Sequence, residues 1–173
     1  MREAAFLLLY CLDLSAPEEQ ELVKLVSHEL KVAKSQIKFC LAKVRNIQIH
    51  QKEIDDKIKN AALSYQFDRI HWIERNILRL GLYEMLYDDD IPAKVAISEA
   101  IRLGKKFGTP ASIAFINAIM DHLYKLSIGG TTDSAAIEKS IEHLITQDEI
   151  VQDTIEQNDT PSSPADSDEK ETE

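Results

Sequence analysis

The residue types best suited to bind metals or act as nucleophiles are few and scattered in this sequence. Cys11 and Cys40 lack the close spacing of a metal-binding or redox pair. Asp88–Asp90 could attract a cation, but a solvated stop signal at a helix end explains the run more simply. The five histidines show no spacing that would place two metal ligands on one helical turn; they are His28, His50, His71, His122 and His143. We therefore expect no metal and no cofactor.

Motifs of catalysis and phosphate binding are missing as well. Gly104-Lys105-Lys106 lacks the upstream glycine that a phosphate-binding loop needs, and the sequence contains no G-x-S-x-G turn. No nucleophile is paired with a base in a recognisable pattern. We therefore expect a protein that is not an enzyme.

The remaining polar features favour binding. Arg69, Arg75 and Arg79 lie along one predicted helix, and Lys105-Lys106-Phe107 lies at the end of another. Basic side chains neutralise phosphates, and aromatic rings stack on unpaired bases. The alternative interpretation, solvated charges at helix ends beside a core phenylalanine, is the one that composition alone favours.

The net charge of −10 is not spread evenly along the chain. Residues 1–127 carry 18 Lys and Arg against 17 Asp and Glu, whereas residues 128–173 carry 2 against 13. The body is therefore almost neutral and the acidity belongs to the C-terminal part. An anionic partner of the body is not excluded by the overall charge.

Helices must position these side chains, because five glycines and five prolines in 173 residues leave long segments uninterrupted. Apolar residues recur at helical spacing, and Trp72 and Val95 fall on predicted buried sides. The apolar run over residues 4–12 is too short to cross a membrane, so we interpret it as a buried first helix. The two cysteines suit a reducing cytoplasm, where we expect the protein. The helices are predicted at about 2–13, from the Ser15 cap to about 31, 34–65, 69–87, 92–107 and 111–126.

Several residues predict helix ends. Ser15–Glu18 has the pattern of a capping box, and Asp68 is placed to cap the helix predicted from residue 69. Gly108 suits a left-handed C-cap, and Thr109-Pro110 suits a helix start. The apolar spacing of the long third helix leaves open whether it breaks around His50.

We divide the chain into a helical domain over 1–127 and an acidic extension over 128–173. Apolar residues in the extension predict a helix over 135–156, which either docks on the body or is marginal in solution. From about residue 158 the chain contains no large apolar residue, and we expect disorder there.

Two sequence blocks carry a resemblance to a known family. The first runs from Glu74 to Ile101 as ERNILRLGLYEMLYDDDIPAKVAISEAI, and the second contains LGKKFG followed by FINAIMD up to Asp121. Together with Arg2-Glu3-Ala4-Ala5, these blocks closely resemble the NusB transcription antitermination family. The match runs from Arg2 to about Leu126, which is nearly the whole body.

The resemblance implies an all-α fold of about seven helices in two small side-by-side bundles. It implies a bacterial adaptor that binds single-stranded boxA RNA in ribosomal RNA leaders together with NusE, a small-subunit ribosomal protein. It further implies recruitment to RNA polymerase with other Nus factors, so that transcription continues through terminators. The oligomeric state is left open, and a homodimer of the unbound protein is one of the states expected.

The resemblance also assigns site residues by position. Glu84 lies in the helix that matches the NusE-binding face, with an exposed helix charge as its alternative role. Arg79 and Glu99 are interpreted as internal polar links between helices. The residues that match the family's RNA-binding surface are Arg2, Tyr10, Lys105, Lys106, Phe107, Ser112, Phe115 and Asn117, with core packing as the alternative for Phe115.

The sequence departs from the family at its N-terminus. Family members usually carry several arginines before the position of Arg2, and here only Met1 precedes it. Fewer phosphate contacts lower both the affinity and its salt dependence. We expect weak RNA binding by the chain alone, a start further upstream, or an affinity supplied mainly by NusE. The alternative function is a protein–protein scaffold that binds NusE with little RNA affinity.

Overall fold

The structure is a computed structural model that describes residues 1–15, 17–62, 65–132 and 134–158, with side chains of the last helix as far as Gln147. These residues form seven α-helices, one 3₁₀ turn at Phe67–Arg69 and no strand. The prediction of an all-α fold is therefore confirmed. The helices are α1 (Arg2–Ser15), α2 (Glu19–Leu30), α3 (Lys34–Ala62), α4 (Trp72–Tyr87), α5 (Ala93–Phe107), α6 (Pro110–Ser127) and α7 (Ala135–Asn158).

The helices form two bundles that share one long interface. α1, α2 and α3 pack against one another, and so do α4, α5 and α6. α4 also contacts α1 and α3, and α6 contacts α3, so the two bundles lie side by side as predicted. α7 packs on α6 and touches α3.

α4 is the central helix of the fold. Every residue from Asn76 to Glu84 is buried. At Gly81, an added Cβ would lie 3.1 Å from the Cβ of Ala100 and 3.0 Å from the Cε of Met120. A glycine at this position therefore lets α4 approach both α5 and α6 closely.

The charge of Arg79 in the buried part of α4 is fully paired. Its Nε and Nη2 atoms each donate to a carboxylate oxygen of Asp55 at 2.8 Å, and its Nη1 donates to Asp13. Burial alone would lower the pKa of this guanidinium, but its hydrogen bonds to the carboxylates raise the pKa above its usual value. Arg79 thus links α4 to α3 and α1, as the sequence predicted.

Two predicted caps are wrong. Ser15 is the last residue of α1, and α2 begins after Glu18, whose side chain makes no capping bond. Because Ser15 already has helical backbone at the end of α1, it does not have the extended backbone that an N-cap residue requires. Asp68 lies in the 3₁₀ turn, and α4 begins at Trp72 after His71, because the turn buries Ile70 first.

The structure decides one open alternative and corrects three smaller expectations. α3 runs through His50 without a break, and Gly108 has an extended backbone (φ −109°, ψ −167°) instead of a left-handed one. Gly108 is needed for space, since an added Cβ would lie 2.8 Å from the Cβ of Ser112. Trp72 and Val95, in the first turns of α4 and α5, are 37% and 41% exposed.

The C-terminal extension contributes a docked helix. Ile137, Ile141 and Leu144 of α7 are buried and belong to the same core cluster as the body. The expected disorder concerns residues 159–173, which lie outside the described residues. The boundary at residue 127 stays a prediction. No described helix has the length and apolarity that a membrane crossing requires.

We predict that Arg79→Met lowers the free energy of unfolding by about 3–5 kcal/mol, because it leaves Asp55 and Asp13 without their buried cation. Urea denaturation measures the change. Arg45→Met is the matched control, since Arg45 pairs with Glu19 at the surface, and it should cost about 0–1 kcal/mol. Equal losses in the two variants would contradict a central role for Arg79.

Candidate RNA- and protein-binding surface

Aromatic rings from α1 and α5 meet at one edge of the protein. The rings of Phe6 and Phe107 lie 4.7 Å apart between centroids, and Tyr10 follows at 6.1 Å from Phe6. Phe6 is buried, whereas Tyr10 and Phe107 are half-buried. Phe6 therefore serves as the base on which two partly exposed rings are held.

A basic side chain from the last turn of α5 lies next to one of these rings. The Nζ of Lys106 lies 5.4 Å from the centroid of the Phe107 ring, and Lys105 is exposed beside it. Lys106 also donates to Glu3 at 2.6 Å, and Arg102 donates to the same carboxylate at 2.7 Å. The hydrogen bonds from Lys106 and Arg102 lower the pKa of Glu3 below its usual value.

The ion pairs continue along the edge toward the start of α1. Arg102 donates to Glu99 at 3.0 Å, and an oxygen of Glu99 lies 3.7 Å from Nη1 of Arg2. Each cation in this row is therefore followed by a carboxylate. Among the basic residues predicted at this edge, Lys105 alone has no ion pair within the described part of the chain.

The corner between α5 and α6 is held by a capping box. The hydroxyl of Thr109 accepts from the N–H of Ser112, and the N–H of Thr109 donates back to the Ser112 hydroxyl at 3.0 Å. Ser112 also donates to the buried carboxylate of Glu74. These bonds satisfy free N–H groups at the start of α6 and fix its direction relative to the end of α5.

The predicted RNA-binding residues fall into two groups. Five of them lie on the edge formed by α1 and α5: Arg2, Tyr10, Lys105, Lys106 and Phe107. Ser112 is 1% exposed beneath the corner, and Phe115 is fully buried with its ring edge toward Tyr65. Asn117 is exposed, but it lines a cavity between α6 and α7. Ser112 therefore supports the corner from within, Phe115 is a core residue, and both side chains are buried.

Glu84 lies at the point where α1, α3 and α4 meet. Its side chain is 1% exposed and accepts from Arg2 at 2.6 Å and from Lys43 at 2.9 Å. Lys43 also pairs with Asp88 at 3.0 Å. Burial opposes the charge of Lys43, but its bonds to Glu84 and Asp88 raise its pKa above the usual value. The alternative of an exposed helix charge is therefore wrong for Glu84.

Sequence reasoning missed three members of this surface: Glu3, Lys43 and Arg102. Arg102 and Lys106 are four residues apart on α5, so a shared face was readable from the sequence. No local signal pointed to Glu3 or Lys43, because their partners are 41 or more residues away along the chain.

The fold and this surface can be compared with known proteins. The model of the NusB family matches residues 1–125. The chain belongs to the NusB family. It is 41% identical over 124 residues to the transcription antitermination protein NusB of a Nitratiruptor species, a match that covers 72% of this chain and 88% of that relative. The NusB of Geobacter sulfurreducens is 40% identical over 123 residues, covering 70% and 89%.

Solved structures of NusB proteins agree with this assignment. A crystal structure of the antitermination factors NusB and NusE in complex with double-stranded RNA matches with a TM-score of 0.62 and 29% identity. That match covers 72% of this chain and 93% of the other. The NusB family model ends at residue 125, so α7 lies beyond the matched region.

We predict that Glu84→Gln lowers the free energy of unfolding by about 1–3 kcal/mol, because a buried amide keeps only one acceptor oxygen for the two cations Arg2 and Lys43. Thermal or urea unfolding measures the effect. Asp121→Asn is the control: Asp121 pairs with Lys125 one turn away on the surface of α6, and its loss should cost less than about 0.5 kcal/mol. A neutral Glu84→Gln variant would show that this carboxylate does not hold the helices together.

Proposed function

We propose that this NusB-family chain is a transcription antitermination adaptor of the cytoplasm, and that it acts without catalysis. It binds single-stranded boxA-type RNA from ribosomal RNA leaders, together with NusE, and brings both to RNA polymerase with other Nus factors. The observation that supports this most is the edge formed by α1 and α5, where the half-buried rings of Tyr10 and Phe107 flank Phe6 and the Nζ of Lys106 lies 5.4 Å from the Phe107 centroid.

The chemistry of this edge fits an unpaired RNA strand. Tyr10 and Phe107 offer ring faces for stacking, and Phe6 keeps them in place from below. In this proposal, Lys105 and Lys106 contact the phosphates on either side of a stacked base. Ser112 acts as a positioning residue, because its bonds to Thr109 and Glu74 hold the corner next to Phe107.

The NusE-binding role of Glu84 is indirect in this proposal. The carboxylate is buried, whereas the side chains of its partners Arg2 and Lys43 are each 26% exposed. Glu84 thus orients two cations at the surface where α1, α3 and α4 meet. We propose that NusE contacts these cations and the neighbouring Asp88, and not Glu84 itself.

A second function is favoured by the pairing of the cations. Arg2 and Lys106 are already neutralised by carboxylates of the same chain, which reduces the attraction for RNA. A scaffold that binds NusE with little RNA affinity of its own would have this arrangement. The two functions differ in whether the complex with NusE distinguishes boxA from other RNA.

The RNA-binding proposal is tested by titrating a fluorescent boxA-type RNA with the chain, alone and with NusE, at about 50 and 200 mM salt. We expect boxA to bind more tightly than a scrambled RNA, with an affinity that falls with salt and rises with NusE. Lys105→Gln should weaken binding by about threefold and reduce the salt slope by about 0.7. Phe107→Leu, which keeps apolar volume and removes the ring, should cost about 1–3 kcal/mol of binding.

Lys24→Gln, on the exposed side of α2, controls for the loss of one positive charge and should leave RNA binding unchanged. If the complex with NusE forms, but neither the chain alone nor the complex binds boxA more tightly than scrambled RNA, the scaffold function is the correct one.

NusE binding is tested separately by calorimetry below the unfolding temperature of each variant. We expect Glu84→Gln and Lys43→Gln to weaken NusE binding by about tenfold, since each disturbs a charge-assisted hydrogen bond at this surface. Lys105→Gln, on the other edge, should bind NusE as the unchanged chain does. Normal NusE binding by Glu84→Gln would contradict the proposal that Glu84 orients Arg2 and Lys43 for NusE.

A further inference from the structure

The carboxylate of Glu3 occupies the position of an anion between two cations of α5. Its Oε1 accepts from Nη1 of Arg102 at 2.7 Å, and its Oε2 accepts from Nζ of Lys106 at 2.6 Å. Arg102 and Lys106 are one helical turn apart, so both side chains point to the same side of α5. The two oxygens of one carboxylate bridge them as two oxygens of a phosphate would.

This site remains open to solvent. The side chains of Arg102 and Lys106 are 44% and 49% exposed, whereas that of Glu3 is 25% exposed. Exposed ion pairs of this kind contribute little to stability and exchange partners readily. The ring of Phe107 lies next to the Lys106 ammonium, so the site adjoins the place where a base would stack.

We propose that Arg102 and Lys106 form a phosphate-binding site for RNA that Glu3 keeps occupied, and that the RNA backbone must displace the Glu3 carboxylate to bind there. This inference rests on the RNA binding proposed above and adds two residues to it: Arg102 as a phosphate contact and Glu3 as its internal competitor. Glu3 thereby lowers the affinity for all RNA and reduces the number of phosphates that the protein neutralises.

The neighbouring residues are compatible with competition between the Glu3 carboxylate and an RNA phosphate for Arg102 and Lys106. Glu99 pairs with the Nε of Arg102 and also approaches Arg2, so Arg102 stays oriented when Glu3 leaves. Lys106 pairs only with Glu3 among the described residues. Once the carboxylate moves away, Lys106 would be left with an unpaired charge beside Phe107, where a phosphate can replace the lost partner.

The test compares the unchanged chain with Glu3→Gln, Arg102→Gln and the double variant, using boxA-type RNA at several salt concentrations. Glu3→Gln should tighten binding by about threefold to tenfold at low salt and steepen the salt slope by about 0.7 for each phosphate gained. Arg102→Gln introduced into Glu3→Gln should remove most of this gain. Glu21→Gln on α2 is the control for net charge, since Glu21 takes part in none of the ion pairs at this site.

A second measurement uses the unchanged chain, so it does not depend on the folding of a variant. The ¹³C chemical shift of the Glu3 carboxyl group should change when RNA saturates the protein, because the carboxylate loses both cations. An unchanged shift in an RNA-saturated sample would overturn the proposal.

The outcomes separate this inference from the proposed function. Specific boxA binding with the same affinity and slope in Glu3→Gln would overturn the role of Glu3 and leave the adaptor function intact. An equal gain in Glu21→Gln would also overturn it, since net charge alone would then explain the effect. If neither the unchanged chain nor Glu3→Gln binds RNA, the RNA-binding function fails and this site fails with it.

Discussion

The buried guanidinium of Arg79 is the interaction on which the arrangement of the helices depends. A charge at the centre of α4 is tolerated only when carboxylates surround it, and these come from α3 and α1. The pairing fixes how α4 is rotated against the first bundle. Asn76, one turn earlier, donates to the same Asp13 and extends the contact. The two bundles therefore pack in a single relative orientation. This orientation also fixes the position of α1 relative to the second bundle.

Cations at the surface are also paired with carboxylates, but these ion pairs are weaker than that of Arg79. Along the edge of α1 and α5, cations and carboxylates alternate from Lys106 through Glu3, Arg102 and Glu99 to Arg2. Near the protein centre such pairs hold helices together, since water cannot replace a lost partner. At the surface, water and an incoming anion can replace it, so the same pairs regulate access to the cations. Glu84 lies between these extremes, because it is buried while both of its partners reach the surface.

Much of the fold was predictable because the periodicity of apolar residues is a local property. Helix existence and order followed from that pattern, and the end of α4 at Asp88 and the start of α6 at Thr109 followed from residue type. The errors concern helix starts where tertiary packing competes with local capping. Asp68 is a good capping residue, yet burial of Ile70 holds it in a 3₁₀ turn. Gly108 was expected to adopt a left-handed backbone at the end of α5. In the structure a glycine is needed there because a side chain would collide with Ser112.

The sequence by itself determined the family, the helical architecture and the types of residue near the candidate surface. Motif order and apolar spacing are local properties, so they can be read without knowledge of the tertiary structure. It identified Arg2, Lys106 and Phe107 as candidates but showed none of their partners. Only the tertiary structure decided that Phe107 rests on Phe6, that Glu84 is buried and that Glu3 bridges two cations. The physical reason is that a charge has its effect through whatever lies within a few ångströms of it, and residues as far apart as Glu3 and Lys106 become neighbours only when the helices pack.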